Sequence, residues 1–399
     1  MAVICHHVDK CLSLPQTIST MKLLIRLLAC SLCIVSFITC QQVKKKEKST
    51  TSKVQNTIPI KYAKGFSITT FTHYTKVTVF NPWDKSQVYA DYYLVKQDSI
   101  TTPKDGLKIK IPLKNLAINS STHIEPLRLL GELSCVNGVC NKDYIYNPQI
   151  LEGIKTDKIK NLGDSYNTNM EQLLLLHPAA FMTTAYNAKD ENNKRLEQSG
   201  VKIIYNIEWQ ETNCLGRAEW MKFIAAFFDK SALADSIFNG IESNYQFYQK
   251  LAKKATIKPT IMSGQDFRGN WTMPAGQSFS NQLFQDANVS YYYANTPQKG
   301  SISTTIEEAL IHFHAADIWV GAQTNTYKEL LATNEKYSFF APFQRKKVFN
   351  FNKKSTPTGG CDYWESGVSH PDRILADLIK IAHPELLPNY QTYYIQPLH

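Results

Sequence analysis

The chain has 399 residues, 43% of them hydrophobic, and a formal net charge of +10. Residues 1–39 supply +2 of that charge and residues 40–59 another +4, so the remaining residues carry only +4, an ordinary balance. No basic run interleaves with aromatic residues, which argues against a nucleic-acid partner, and the length exceeds one typical core, which argues for two lobes.

The first readable signal starts at Met21. Lys22 and Arg26 precede an almost wholly apolar run over residues 27–38, and a lysine-rich stretch follows at once. That is the charge and hydropathy order of a secretory signal peptide, and the run is too short for a good transmembrane helix. It ends on Cys40 after Phe37-Ile38-Thr39 and resembles a bacterial lipobox, in which the cysteine takes the lipid and becomes the first residue. The alternative is an uncleaved anchor helix. Residues 1–20 carry no targeting signal, so residues 1–40 are expected to be an upstream extension plus a lipoprotein signal peptide. Residues 40–59 contain five lysines, one glutamate and no aromatic residue. Such a segment cannot bury enough apolar surface to fold, and residues 41–59 read as a flexible tether.

Five of the nine cysteines fall in the first 40 residues. The others are Cys135, Cys140, Cys214 and Cys361, an even number, which permits disulfides outside the cytoplasm. Cys135 and Cys140 flank Val-Asn-Gly-Val, whose Asn-Gly favours a tight turn. A local bridge there leaves Cys214 and Cys361 as the other pair. The alternative is four free, partly buried thiols. No histidine pair stands near them at zinc spacing, and no metal site is expected.

Residues 65–80 alternate and are rich in β-branched side chains, as strands are, until Asn81-Pro82 stops them. Residues 87–95 and 107–111 predict two further strands. Thr122 with Glu125 gives a capping-box pattern, and Pro126 sits in the first turn of the helix that follows. Asn169-Met170-Glu171 leads into a leucine-rich helix ending near Pro178, then a strand. A short helix over 193–198 and a strand over 201–207 complete a helix–strand alternation that suggests parallel α/β packing. Residues 216–254 hold apolar positions at helical spacing and read as one long connecting helix, or two in series, with interruptions possible at Asp229-Lys230-Ser231 and at Gly240. The alternation then resumes: strand over 260–263, helices over 279–286 and 305–316, strand over 317–321, helix over 327–332, extended chain over 347–351, helix over 371–383.

The two halves echo each other. EQLLLLHPAAFM from Glu171 and EEALIHFHAADI from Glu307 share Glu at the first position, Leu at the fourth and Ala-Ala at the ninth and tenth. This weak repeat fits two lobes built on one plan.

These stretches resemble the class III substrate-binding proteins of ABC importers, the cobalamin, haem and ferric-siderophore type, and within it a lipoprotein subgroup of Bacteroides-like bacteria. The likeness rests on Asn81-Pro82-Trp83, on STHIEPLRLLGEL through GVCNKDYIYNP to LGDSYNTNMEQLLLLHP, on EWQETNCLGRAEWMKF, on residues 276–321, and on CDYWESGVSHPDRILADLIK. It implies an α/β fold of two Rossmann-like lobes joined by a single long helix, with the ligand cleft between the lobes. The expected parts are an N-terminal lobe over 60–215, a connecting helix region over 216–255, a C-terminal lobe over 256–368, and a helix and tail over 369–399. The resemblance implies that Glu171 and Glu307 dock on an ABC permease dimer in the inner membrane, and both sit where a helix N-terminus favours a carboxylate. Helix capping alone explains the same positions. The loops facing the cleft bring forward His123, Trp209, Arg217, Arg268, Trp271, Tyr363 and Trp364 as ligand contacts. The three tryptophans suit a flat macrocycle, and an arginine suits a carboxylate or phosphate. Each of these residues has a plain alternative in core packing or loop capping.

The resulting expectation is a periplasmic, lipid-anchored, monomeric binding component of an importer, not an enzyme and without a cofactor. It captures an iron chelate, a corrinoid or haem. Two alternatives stand beside it. One is a secreted glycan hydrolase using carboxylates such as Glu208 and Glu211. The other is a structural surface lipoprotein.

Overall fold

The structure, a computed structural model, describes residues 53–187 and 191–399. The signal peptide, Cys40 and most of the tether lie outside the described residues. The end of the expected tether does not. Residues Val54–Thr57 form an edge strand, β1, with every side chain exposed. It pairs antiparallel with Phe66–Phe71 (β2). A composition argument counts buried side chains and is blind to a strand held by backbone hydrogen bonds alone.

β1 opens a five-stranded sheet whose order follows the chain: β1, β2, Thr75–Phe80 (β3), Val88–Val95 (β4) and Leu107–Lys110 (β5). β2 and β3 form the hairpin expected from the alternation, with Phe66, Ile68, Val77 and Val79 turned into the core. This sheet is pinned to the following structure through backbone amides. Glu219, fully buried, accepts from the N–H groups of Lys61, Tyr62 and Ala63 at 2.7–2.9 Å. Glu211 accepts from those of Lys64 and Gly65 at 2.8 Å. Two carboxylates thus satisfy five successive donors, and the charge-assisted geometry makes these strong bonds.

The second sheet is wholly parallel. It comprises Leu116–Ile118 (β6), Val136–Val139 (β7), Lys160–Asn161 (β8), Ala180–Thr183 (β9) and Ile203–Tyr205 (β10), in the order β10-β9-β6-β7-β8. The third comprises Thr260–Ser263 (β11), Ser290–Tyr291 (β14), Ile318–Ala322 (β16), Val348–Asn350 (β17) and Gln396–Pro397 (β18), in the order β14-β11-β16-β17-β18, with only β18 antiparallel. A small antiparallel sheet of Asp266–Phe267 (β12), Asn270–Pro274 (β13) and Ser301–Thr304 (β15) rises beside it. Each parallel sheet is the centre of one lobe, and the fold is α/β with two such lobes.

Between them the chain runs through two helices in series, Cys214–Ala226 and Ser231–Ala252. The break falls at the first of the two expected interruptions, where Asp229 takes a left-handed φ of 57°. Gly240 lies inside the second helix, which is the long one, at 22 residues. The first helix is buried almost all round, since its faces meet β2 on one side and the helices Ile124–Leu129 and Phe279–Asp286 on others.

The cysteine pairings are corrected. All four are free and buried. Cys135 and Cys140 flank β7, so Asn137-Gly138 is strand and not turn, and an extended chain separates the two thiols by far more than a disulfide allows. Cys214 hydrogen-bonds with Tyr245 Oη at 3.0 Å, and Cys361 donates to the carbonyl of Phe351 at 3.2 Å. Burial pushes the Cys214 thiol up to about 12 and that of Cys140 to about 11.

Candidate functional site

In an open parallel sheet, ligands bind outside the carboxyl ends of the strands. Here the carboxyl ends of both central sheets open on one cavity of about 800 Å³. From the N-terminal lobe come Ser121 and Thr122, after β6, and Trp209, after β10. The C-terminal lobe contributes Gly264 after β11, Gln323 after β16, and Phe351 and Asn352 after β17. Thr272, Met273 and Ser301 from the small antiparallel sheet close one side, and Phe279 and Phe284 another. A second depression of about 800 Å³, around Tyr166, Tyr186 and Asn192, is contributed by the N-terminal lobe alone and touches no strand end of the other lobe.

Two glycines let the backbone approach the cleft closely. Gly264 has a φ of 81°, and a Cβ there would lie 2.7 Å from the Thr272 carbonyl. Gly321, at the end of β16, has a φ of 77° and faces the Phe351 ring.

Four of the seven expected ligand residues line this cavity: Trp209, Arg217, Tyr363 and Trp364. Trp209 is 39% exposed and anchored by a hydrogen bond from its Nε1 to the Ala185 carbonyl at 3.2 Å. Trp364, on the opposite lobe, is 57% exposed and packs edge-on against Tyr363. Tyr363 itself stacks flat on Phe351 at 4.0 Å. These rings offer apolar faces from both sides of the cleft.

Among the described residues, Arg217 is the only charged one lining the cavity. Its Nε and Nη2 both reach Glu208 Oε2 at 2.7 Å, and its guanidinium lies over the Phe279 ring at 4.3 Å. Arg217 lies in the first turn of the helix Cys214–Ala226, where the helix dipole disfavours a cation, and a partner carboxylate and an aromatic face compensate it.

The other three expected contacts sit elsewhere. His123 is 1% exposed, its Nδ1 has no partner, and burial drives its pKa down to about 3. Its neighbours Ser121 and Thr122 face the cavity instead. Trp271 is fully buried among Trp319, Tyr337 and Phe340, and its Nε1 donates to the Ser263 carbonyl at 2.9 Å. It faces the core because β13 alternates: Trp271 and Met273 are buried, Asn270 and Thr272 are not. Arg268 sits with Gly269 at the two-residue tip of the β12–β13 hairpin, both at positive φ, exposed and outside the cavity lining.

The lining residues that the sequence did not single out include Phe279, Met273, Ser301 and Gln323. Their one sequence signal is position: Met273 and Ser301 lie at strand ends, Gln323 follows β16, and Phe279 opens a helix. The carboxylates considered for hydrolysis are both engaged. Glu208 holds Arg217, while Glu211 holds the amides of Lys64 and Gly65 and the indole of Trp220.

Behind the cavity two buried contacts join the lobes. His370 Nε2 meets Glu125 Oε1 at 2.7 Å, and Glu125 also pairs with Arg128. Although burial opposes ionisation, Arg128 and His370 hold the Glu125 carboxyl below its usual range. Glu125 thus serves as an ion-pair partner and not as a capping-box residue: Ser120 caps the short turn Ser121–His123, and the helix Ile124–Leu129 that follows has no side-chain cap. Glu365 Oε2 accepts from the backbone amides of Tyr146 and Asn147.

Glu171 and Glu307 lie in the first turns of the helices Met170–Leu176 and Ile306–Phe313, both exposed. The repeat holds in three dimensions. The third position of each copy is buried (Leu173, Ala309), and the fifth is an exposed aliphatic (Leu175, Ile311). Glu307 pairs with Lys336 at 2.6 Å.

Among curated relatives, an uncharacterized lipoprotein of Methanocaldococcus jannaschii is 24% identical in an alignment that covers 89% of this chain and 91% of that protein. Among solved structures, Helicobacter pylori CeuE with Ni(II) bound aligns over 73% of this chain and 91% of that one, at 14% identity and a TM-score of 0.54. The periplasmic heme-binding protein RhuT of a Roseiflexus species aligns over 69% and 99%, at 12% identity and a TM-score of 0.53. These structures share the fold. Residues 120–354 match the model of the family described as periplasmic binding protein, and because that match spans more than half of the sequence, the chain belongs to this family of binding proteins and not to the enzymes.

Proposed function

We propose that the chain is the solute-binding component of an ABC importer, capturing a metal-containing nutrient in the cleft and delivering it to a membrane permease. The nutrient is an iron chelate, a corrinoid or a haem. The observation that carries this reading is the cavity of about 800 Å³ between two lobes, large for a metabolite and walled by the Trp209 and Trp364 rings. Nothing covalent is asked of it, because specificity comes from shape and surface chemistry. The protein works as a monomer outside the cytoplasm, tied to the membrane by lipid on Cys40. The lipoprotein relative, which is archaeal, supports an anchored location without fixing the kind of membrane.

Glu171 and Glu307 are the docking charges, one per lobe, for basic side chains of a symmetric permease. Exposed charges of this kind supply steering and register more than affinity. Releasing Lys336 from Glu307 costs little, since both groups are about half exposed.

The test is a thermal-shift screen of the chain from Gln41 onward with cobalamin, cobinamide, haemin and several ferric siderophores. A ligand that binds only the folded state raises the melting temperature. Selective stabilisation by one class is the expected result. The absence of any shift, confirmed by direct binding assays, would sink the ligand class.

A further inference from the structure

We infer that the cleft selects a ligand of low net charge, with an apolar face and a hydrogen-bonding periphery, and rejects polyanionic chelates. This rests on the reading of the cleft as a site for a metal-bearing nutrient and narrows it.

The inference comes from the charge inventory of the cavity. Among the described residues, Arg217 is the only ionic side chain that lines it. Its charge is already spent. Glu208 takes two of its nitrogens at 2.7 Å, and both side chains are nearly buried, at 12% and 8% exposure. The cleft therefore meets its ligand as an almost neutral surface. Around that pair the polar groups are hydroxyls and amides: Ser121, Thr122, Thr272, Ser301, Gln323 and Asn352. They are suited to amide, hydroxamate or hydroxyl edges. The rest is apolar and aromatic, with Trp209 and Trp364 presenting faces from opposite lobes.

A multiply charged anion entering here gives up its water for no new cation. Such a transfer is strongly unfavourable unless each charge finds a partner. To claim Arg217, the anion has to displace Glu208 and leave a second buried carboxylate unpaired. A neutral chelate gives up far less hydration and gains the aromatic contacts in full.

The test holds the metal constant and varies charge. The chain from Gln41 onward is titrated calorimetrically with a ferric tris-hydroxamate, which is neutral, and a ferric tris-catecholate, which is a trianion. Cyanocobalamin, neutral and metal-bearing, is the third probe. The expected result is binding of at least one neutral probe, with the trianion weaker by about a hundredfold or more. Binding of the trianion within tenfold of the best neutral probe overturns the inference while leaving the capture of metal nutrients intact. Binding of no probe overturns the inference, and the capture of metal nutrients falls with it only if haemin also fails to bind.

Two variants test the cause. Glu208→Gln frees Arg217, and Ser301→Lys adds a cation at an exposed position of the wall. Either one that folds should narrow the gap between neutral and anionic probes at least fivefold. An unchanged gap in a folded Ser301→Lys protein shows that charge does not set the selectivity.

Discussion

Glu365 offers the sharpest quantitative test of the lobe junction. It is 3% exposed, and its Oε2 accepts from the amides of Tyr146 at 2.8 Å and Asn147 at 3.3 Å. Burial raises its pKa from an ordinary 4.5 to about 7, against the pull of those two donors and with some repulsion from Asp362 and Glu125. The unfolded chain releases this proton near 4.5, the folded chain near 7. Between those values the folded state binds more protons, so stability falls as pH rises across the window and levels off above it. The interval corresponds to roughly 3 kcal/mol. Glu365→Gln keeps an acceptor for both amides and removes the buried charge. The variant is expected to match the parent at pH 4.5 and to exceed it by up to about 3 kcal/mol at pH 8. Urea unfolding at pH 4.5, 6 and 8 reads this as a difference, in which the other titrating groups cancel. A variant less stable than the parent at pH 8 would refute the reasoning. It would show that the ionised carboxylate grips the two amides more strongly than burial opposes it.

Four further outcomes follow from the same geometry. Glu125→Ala leaves buried His370 and half-exposed Arg128 without their shared partner and should cost about 2 kcal/mol in thermal or urea unfolding; a loss under about 0.5 kcal/mol would mean the contact is dispensable. Trp271→Ala should lower stability by about 3 to 5 kcal/mol as a core truncation. Trp364→Ala should leave stability within about 0.5 kcal/mol and weaken ligand binding about tenfold, and a reversal of these two effects would relocate the site. The thiols of Cys135, Cys140, Cys214 and Cys361 should be inert to a thiol reagent in the folded protein and react on unfolding, because burial keeps each protonated. Disulfide-linked peptides spanning any two of them would contradict the structure.

The periodic elements could be read from the sequence because periodicity reports burial directly. The β2–β3 hairpin, the helix Phe279–Asp286 and the helix Pro371–Ala382 all announced themselves through spacing and punctuation. The cleft was harder to see. Trp209 and Trp364 were found through family likeness and lie in it, but Trp271 resembles them in type and falls on the inner face of its strand. Residue type alone cannot tell which face of a short strand meets the core. His123 failed for a related reason, because the chain tightens into a short turn at Ser121–His123 and rotates the histidine inward. Asn137-Gly138 misled because its turn preference is overridden by pairing with β6 and β8 on both sides. Phe279 and Gln323 carried no signal beyond their place after a strand or before a helix.

The five amides held by Glu211 and Glu219 have a mechanical consequence. Any pull on the chain at Lys53 travels along the first sheet and reaches the rest of the molecule at the Cys214–Ala226 helix and the turn before it. Load also enters at β10, where the Tyr205 amide donates to Tyr92 Oη of the first sheet at 2.8 Å. Strain in the first sheet is thus shared between the helix that links the lobes and the strand that leads to Trp209.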